Sequence, residues 1–156
     1  KYRKGHFEGV LDIMDRLINN ITPNKIFMGE KDFQQLYLVK KYIQKKYKSK
    51  FVPCKTIRDK NKLALSSRNS LLNKTELKNA GKLSQSILAL KKRLKKIKDI
   101  EKFLKNRKKD LSKLFNVKIE YLELRNNRNL KKTKKTNNSK IFFAYYINHI
   151  RLIDNF

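Results

Sequence analysis

The chain has 156 residues, with 41 Lys and Arg against 13 Asp and Glu, a formal net charge of +28 and 39% hydrophobic residues. That apolar content excludes a disordered chain and lets roughly two-thirds of the unfolded surface be buried, in one core or two small ones. No run reaches the ~18 apolar residues of a membrane span and no secretory signal leads the chain. The lone Cys54 excludes an internal disulfide or a cysteine-rich zinc site, so a cytoplasmic location is expected.

From Phe7 the apolar residues fall at Phe7, Val10, Leu11, Met14, Leu17, Ile18 and Ile21, a three-four spacing that predicts a helix ending before Pro23. His6, at its start, reads as structural rather than catalytic. Lys25-Ile26-Phe27-Met28 predicts a short buried strand, and Gly29-Glu30-Lys31-Asp32-Phe33-Gln34-Gln35-Leu36 leads from it into a helix over 33–47. A strand that stops at a glycine before a helix beginning with charged groups is how open α/β sheets offer N–H donors to phosphate or carboxylate. Gly29 would let the backbone approach a ligand, Lys31 would place a point charge there, and Gln35 could both donate and accept. The same residues also read as an Asp32–Gln35 capping box behind an ordinary turn glycine, and the octapeptide alone leaves both readings open. Phe51-Val52-Pro53 adds a second strand. Helix–strand–helix–strand is the back end of a parallel, doubly wound domain.

The character of the chain changes near Ile57-Arg58-Asp59. The expected division is 1–57, part of a Rossmann-like nucleotide-binding domain, and 58–156, a small α+β domain. In Leu63-Ala64-Leu65-Ser66-Ser67-Arg68-Asn69, two hydroxyls and a guanidinium precede another helix. That set suits phosphate oxygens, and it equally suits an N-cap serine followed by a surface arginine. Asn73-x-x-Glu76 is a capping box leading into the stripe Ala80, Leu83, Ile87, Leu90, Leu94 and Ile97. Ile100, Phe103, Leu104, Leu111, Leu114 and Phe115 mark a further helix. Val117, Ile119 and Tyr121, alternating with Lys118 and Glu120, predict a half-buried strand, and 126–140 reads as a polar, mobile loop. Ile141 to Ile147 is apolar on both faces and hence a central strand, with one more over Arg151 to Asp154. Helices first and an antiparallel sheet after them complete the α+β half.

Such an excess of positive charge would ordinarily point to nucleic acid. Here it is spread along the whole chain together with Lys, Asn and Ile, as compositional bias would spread it, and runs such as Lys91-Lys92-Arg93-Lys95-Lys96 read as solvated helix faces. A basic nucleic-acid-binding module, the contrasting reading, needs exposed aromatics among its cations, whereas Phe142, Phe143, Tyr145 and Tyr146 fall in a strand that reads as buried.

Five segments together carry a resemblance: Arg3-Lys4-Gly5-His6-Phe7-Glu8-Gly9-Val10, Gly29 to Leu36, Leu63 to Asn69, Tyr121-Leu122-Glu123-Leu124-Arg125 and Arg151-Leu152-Ile153-Asp154-Asn155. In this order, and over essentially all 156 residues, they resemble the pantothenate synthetase (pantoate–β-alanine ligase) family. Lys4 stands where that family usually has Pro, and Asn61-Lys62 where it usually has Asp-Gly, which bears on the turn that delivers Ser66, Ser67 and Arg68. The resemblance implies a Rossmann-like domain and a C-terminal lid domain. It also implies that the chain is the C-terminal portion of a longer enzyme, inactive without the N-terminal half that carries the family's histidine pair. The implied reaction is the ATP-dependent condensation of pantoate with β-alanine to pantothenate through a pantoyl-adenylate, releasing pyrophosphate and AMP, with Mg2+ on the nucleotide.

By the same resemblance, Gly29, Glu30, Lys31, Asp32, a main-chain group at Ile57, Leu65, Ser66, Ser67 and Arg68 would contact the nucleotide. Lys31 would lie on phosphate and Asp32 near the ribose, while the side chain of Ile57 could equally be core. Lys31, Ser66 and Arg68 would carry catalysis, Gln35 and Arg3 would hold substrate, and no residue set for a metal is implied. The implied partners are pantoate, β-alanine and a second copy in a homodimer, with no specific nucleic acid and no membrane. Another adenylate-forming enzyme, a nucleotidylyltransferase or class I aminoacyl-tRNA synthetase, is the rival within enzymes. Gln35 and the Arg151 to Asn155 ending argue against it.

Overall fold

A computed structural model describes residues 5–156, so Arg3 and Lys4 lie outside the described residues. The chain divides into two compact units, Lys1–Thr56 and Ile57–Phe156.

The first unit is a helix–strand–helix–strand run: α1 (His6–Ile21), β1 (Lys25–Gly29), α2 (Phe33–Lys46) and β2 (Lys50–Cys54). The strands pair in parallel, Ile26 opposite Phe51 and Gly29 opposite Cys54, with α2 as the crossover connection that parallel pairing needs. Ile18, Ile26, Val39, Ile43 and Phe51 form its core, with Val10, Leu11 and Met14 packed at the margin. The two helices are also pinned at their sides, where Asp15 accepts from Lys46 Nζ at 2.7 Å and from the Tyr47 hydroxyl at 3.0 Å. Leu17 and Ile21 belong to the apolar stripe that predicts α1, yet they are 48% and 66% exposed. A stripe this wide has more apolar surface than one neighbouring helix can cover. His6 is exposed as well, at the first position of α1, so it fills no place in a core.

The second unit puts its helices first: α3 (Lys74–Arg93) and α4 (Ile100–Leu114), then an antiparallel sheet of β3 (Lys118–Asn126), β4 (Ser139–Ile147) and β5 (Ile150–Asn155) in the order β3-β4-β5. Asn73 and Glu76 exchange the reciprocal bonds of a capping box at the head of α3, 2.9 Å from Glu76 N to Asn73 Oδ1 and 2.8 Å from Asn73 N to Glu76 Oε2. β4 is the central strand, and Phe142, Phe143, Ala144 and Tyr145 are all buried. The fold is therefore α/β in its first unit and α+β in its second.

Two local expectations give way. The pairing of β3 with β4 shifts register between Ile119 and Tyr121, so Ile119, Leu122 and Leu124 are buried while Tyr121 leaves the core face that strict alternation would give it. One extra residue at a bulge exchanges the faces beyond it. The polar segment read as a mobile loop is instead bonded back onto the sheet, through Asn126 N to Lys131 O (3.0 Å), Thr133 N to Leu124 O (3.1 Å) and Asn127 N to Asn138 O (2.8 Å).

Candidate functional site

In the first unit the candidate residues sit where β1 runs out. Gly29 ends the strand, Glu30–Asp32 make one 3-10 turn, and α2 begins at Phe33. The carboxyl end of a parallel strand, with the N-terminus of a helix behind it, is where open α/β sheets hold ligands. Gly29 has φ −69° and ψ 132°, extended backbone that any residue adopts, and a Cβ built on it would meet nothing within 4 Å. Neither backbone nor packing asks for glycine here. Open space over a bare Cα is what a close-lying ligand would need.

The capping-box reading of this segment falls. Asp32 has φ −95° and ψ 53°, outside the extended region an N-cap occupies, and makes no side-chain bond to the first turn of α2. The 3-10 turn turns its carboxylate toward Lys31 instead, with Nζ 3.8 Å from Oδ2. Lys31 is the more enclosed of the two, its side chain 19% exposed against 52% for Asp32. Gln35 is half-buried in the first turn of α2, next to the buried Leu36.

In the second unit the candidates follow a tight hairpin. Leu65 N bonds Ile57 O at 3.0 Å, Arg58 pairs with Ala64, and Asp59 N bonds Leu63 O at 2.9 Å. At the tip Lys62 N reaches Asp59 O (3.0 Å), and Asp59 Oδ1 accepts from Leu63 N (2.9 Å). Lys62 takes φ 69°, the left-handed conformation that glycine adopts without strain and a residue with a Cβ does not. The turn is kept and the side chain bears the strain. Lys62→Gly is therefore expected to raise stability by about 1 kcal/mol, the left-handed penalty less the added freedom of the unfolded chain. An unchanged urea midpoint would argue that the strain is already relieved.

Ile57 and Leu65 face each other at the hairpin base, 71% and 53% exposed, so Ile57 is not core. After Leu65, Ser66 caps a 3-10 turn over Ser67–Leu71, its Oγ accepting from Arg68 N at 3.3 Å. That bond uses a lone pair and leaves the hydroxyl proton for another acceptor, so capping and ligand contact do not compete. Ser67 is exposed, and Arg68 Nη1 lies 3.4 Å from Arg151 O, a weak tether.

Several residues with no role in the motif reading hold this hairpin. Arg58 makes a fork to the buried Asp154, 2.6 and 2.9 Å, bonds Asn155 O and Lys62 O at 3.0 Å each, and stacks 4.3 Å over Phe156. Asn61 rests on α3 at Gly81, and its carbonyl accepts from Gln85 Nε2 at 3.2 Å. Burial, and secondarily the Asp154 carboxylate, push the Tyr145 hydroxyl above the ordinary phenol range. Arg58 and Asp154 are 96 residues apart, a separation no local pattern bridges. The Arg151 to Asn155 segment carries part of the resemblance, but nothing in it points to Arg58.

The candidates therefore fall into two groups. Gly29, Glu30, Lys31, Asp32 and Gln35 belong to the first unit. Ile57, Leu65, Ser66, Ser67 and Arg68 belong to the second, and Arg3 is not among the described residues. Among the described residues no three His, Cys, Asp or Glu gather in a way that could hold a metal, and no helix is long and apolar enough to cross a membrane.

A family model described as pantoate-beta-alanine ligase matches residues 1–156. The pantothenate synthetase of Flavobacterium psychrophilum is 38% identical over 99% of this chain and 56% of its own length. The bifunctional pantoate ligase/cytidylate kinase of Prochlorococcus marinus is 40% identical over 98% of this chain and 30% of its own. Among solved structures, pantothenate synthetase from Thermus thermophilus superposes with a TM-score of 0.88 at 28% identity, covering 99% of this chain and 56% of that one. Pantoate-beta-alanine ligase from Francisella tularensis, complexed with beta-gamma ATP and beta-alanine, gives 0.74 at 32% identity, covering 99% and 51%. The chain thus spans about half the length of the curated relatives it matches.

Proposed function

The chain belongs to the pantoate–β-alanine ligase family, and from that premise we propose that it serves the ATP-dependent joining of pantoate to β-alanine. The observation that carries its part in this is Gly29, a glycine required by neither φ nor packing, at the carboxyl end of β1 and beside the enclosed Lys31. The pantoate carboxylate attacks the α-phosphorus of ATP, pyrophosphate leaves, and a pantoyl-adenylate forms. The β-alanine amine then attacks the acyl carbon, loses a proton, and AMP departs. Magnesium, arriving with the nucleotide, would offset phosphate charge, and no described residue is assigned to hold it.

This chemistry needs charge compensation and positioning more than a side-chain nucleophile. Gly29 to Asp32 line the nucleotide, with Lys31 on a phosphate oxygen and Asp32 toward the ribose. Gln35 and Arg3 hold pantoate. The exposed pair Ile57 and Leu65 gives the adenine an apolar edge, and Ser66, Ser67 and Arg68 donate to phosphate. The complete enzyme acts as a cytoplasmic homodimer. This chain alone, half the length of its relatives, turns nothing over.

Equilibrium binding of ATP and of inorganic tripolyphosphate to the chain tests the nucleotide reading, because a net charge of +28 attracts any polyanion. ATP is expected to bind roughly tenfold tighter than tripolyphosphate at moderate salt, a margin within reach of a few nucleoside contacts. Equal affinities would assign the binding to charge alone. Pantothenate formed by the unsupplemented chain would overturn its expected inactivity.

A further inference from the structure

The hairpin and the phosphate-directed residues behind it are both held from one strand, β5. Arg58 lies at the hairpin base, and its guanidinium is used on every side: two bonds to the Asp154 carboxylate, one to Asn155 O, one back to Lys62 O at the hairpin tip, and its face on Phe156. The Asp154 and Arg58 side chains are 4% and 18% exposed, so water competes little for the pair. Three residues earlier on β5, the Arg151 carbonyl meets Arg68. β5 is itself fixed at the sheet edge by its ladder with β4 and by reciprocal 3.0 Å bonds between Ile141 and Phe156. Arg151 is fastened in turn by Glu120, 2.7 Å from its Nε. The strand is thus a ruler against which both the hairpin and Arg68 are set.

We propose that Asp154 is a positioning residue: through Arg58 it fixes the Ile57 to Leu65 hairpin, and thereby the placement of Ser66, Ser67 and Arg68 for nucleotide phosphate. A carboxylate is needed because it accepts both prongs of the guanidinium. A lone neutral oxygen would leave one buried N–H unanswered. The weak Arg68–Arg151 contact fits this division of labour, in which the hairpin places the clamp and leaves its arginine head able to leave Arg151 for a ligand. The proposal rests on the nucleotide reading given above.

Asp154→Asn and Arg58→Lys in the 156-residue chain test it with two readouts. The first, amide hydrogen exchange without nucleotide, follows Leu63 and Leu65 N–H against α4 amides as a measure of global opening. Asp154→Asn is expected to speed hairpin exchange about tenfold while α4 is unchanged, the size of one lost charge-assisted bond. The second is ATP affinity, expected to fall about tenfold in Asp154→Asn and less in Arg58→Lys. Arg68→Ala should lose ATP affinity with no change in hairpin exchange. Unaltered hairpin protection in Asp154→Asn overturns the clamp whether or not ATP binds. Faster exchange with ATP affinity retained overturns its role in positioning. Wild-type chain that shows no preference for ATP over tripolyphosphate while hairpin exchange still responds to Asp154→Asn sinks the nucleotide reading instead, and with it the functional half of the proposal.

Discussion

An Arg68→Ala variant of the enzyme in its full family length is expected to lose about 2–4 kcal/mol of transition-state stabilisation, the scale of one preorganised electrostatic donor. That loss would appear in kcat/KM for ATP. The loss should be catalytic and not a failure to fold: Arg68 is half-buried, and the described bond of its guanidinium, at 3.4 Å to Arg151 O, is too long to hold much structure. The unfolding midpoint is accordingly expected to stay put. Arg68→Lys keeps the charge and loses the planar fork, so it should recover only part of the activity. Lys31→Ala, in the other unit, should cost a similar amount. Steady-state kinetics with each substrate varied in turn checks both. Near-wild-type kcat/KM in either variant removes that residue from the mechanism.

Gly81→Ala is expected to destabilise the protein by about 1–3 kcal/mol, the cost of forcing an extra carbon into a closed contact. Helix propensity alone predicts the reverse, a gain of about 1 kcal/mol for Ala over Gly inside α3. Packing decides the sign. A Cβ at Gly81 would lie 2.5 Å from Asn61 Cβ and 3.3 Å from Asn61 O, and neither atom is the loose end of a flexible side chain. The hairpin must lift off α3, straining the Gln85 bond to Asn61 O. Asn61→Gly removes the opposing Cβ, so the double variant should regain most of the lost stability. Urea unfolding of the two singles and the double closes the cycle. A Gly81→Ala protein as stable as wild type would mean that the hairpin is not seated where the structure puts it.

Much of this was legible in the residues. The three-four stripes gave α1, α3 and α4, the doubly apolar run 141–147 gave the central strand, and Asn73 with Glu76 announced the capping box that forms. What stayed hidden has physical reasons. Asp32 spells an N-cap by composition, but a 3-10 turn of three residues rotates it away from α2. Tyr121 keeps step with Ile119 in sequence, and a bulge changes its face. Leu17 and Ile21 follow the period of α1, yet period reports what a helix could bury and not how much neighbour it meets. At the candidate site the motifs picked out exposed and half-buried residues at a strand end and beyond a hairpin. Arg58, Asp154 and Gly81, which set the hairpin from behind, become visible only when segments tens of residues apart are brought together.

The two parallel strands of the first unit have a practical consequence. Among the described residues this ladder has two strands and so presents outer edges, and Phe27, 65% exposed on β1, together with Ile13 and Ile21 on α1, adds apolar surface to the same unit. What holds copies of the molecule apart is their shared charge of +28. Mutual repulsion of this kind reaches about 30 Å at 0.01 M ionic strength and about 3 Å at 1 M. Concentrated brine that strips adventitious polyanions from a preparation therefore also removes the barrier to self-association, and colloidal clarity is to be sought at low ionic strength, after the polyanions are gone.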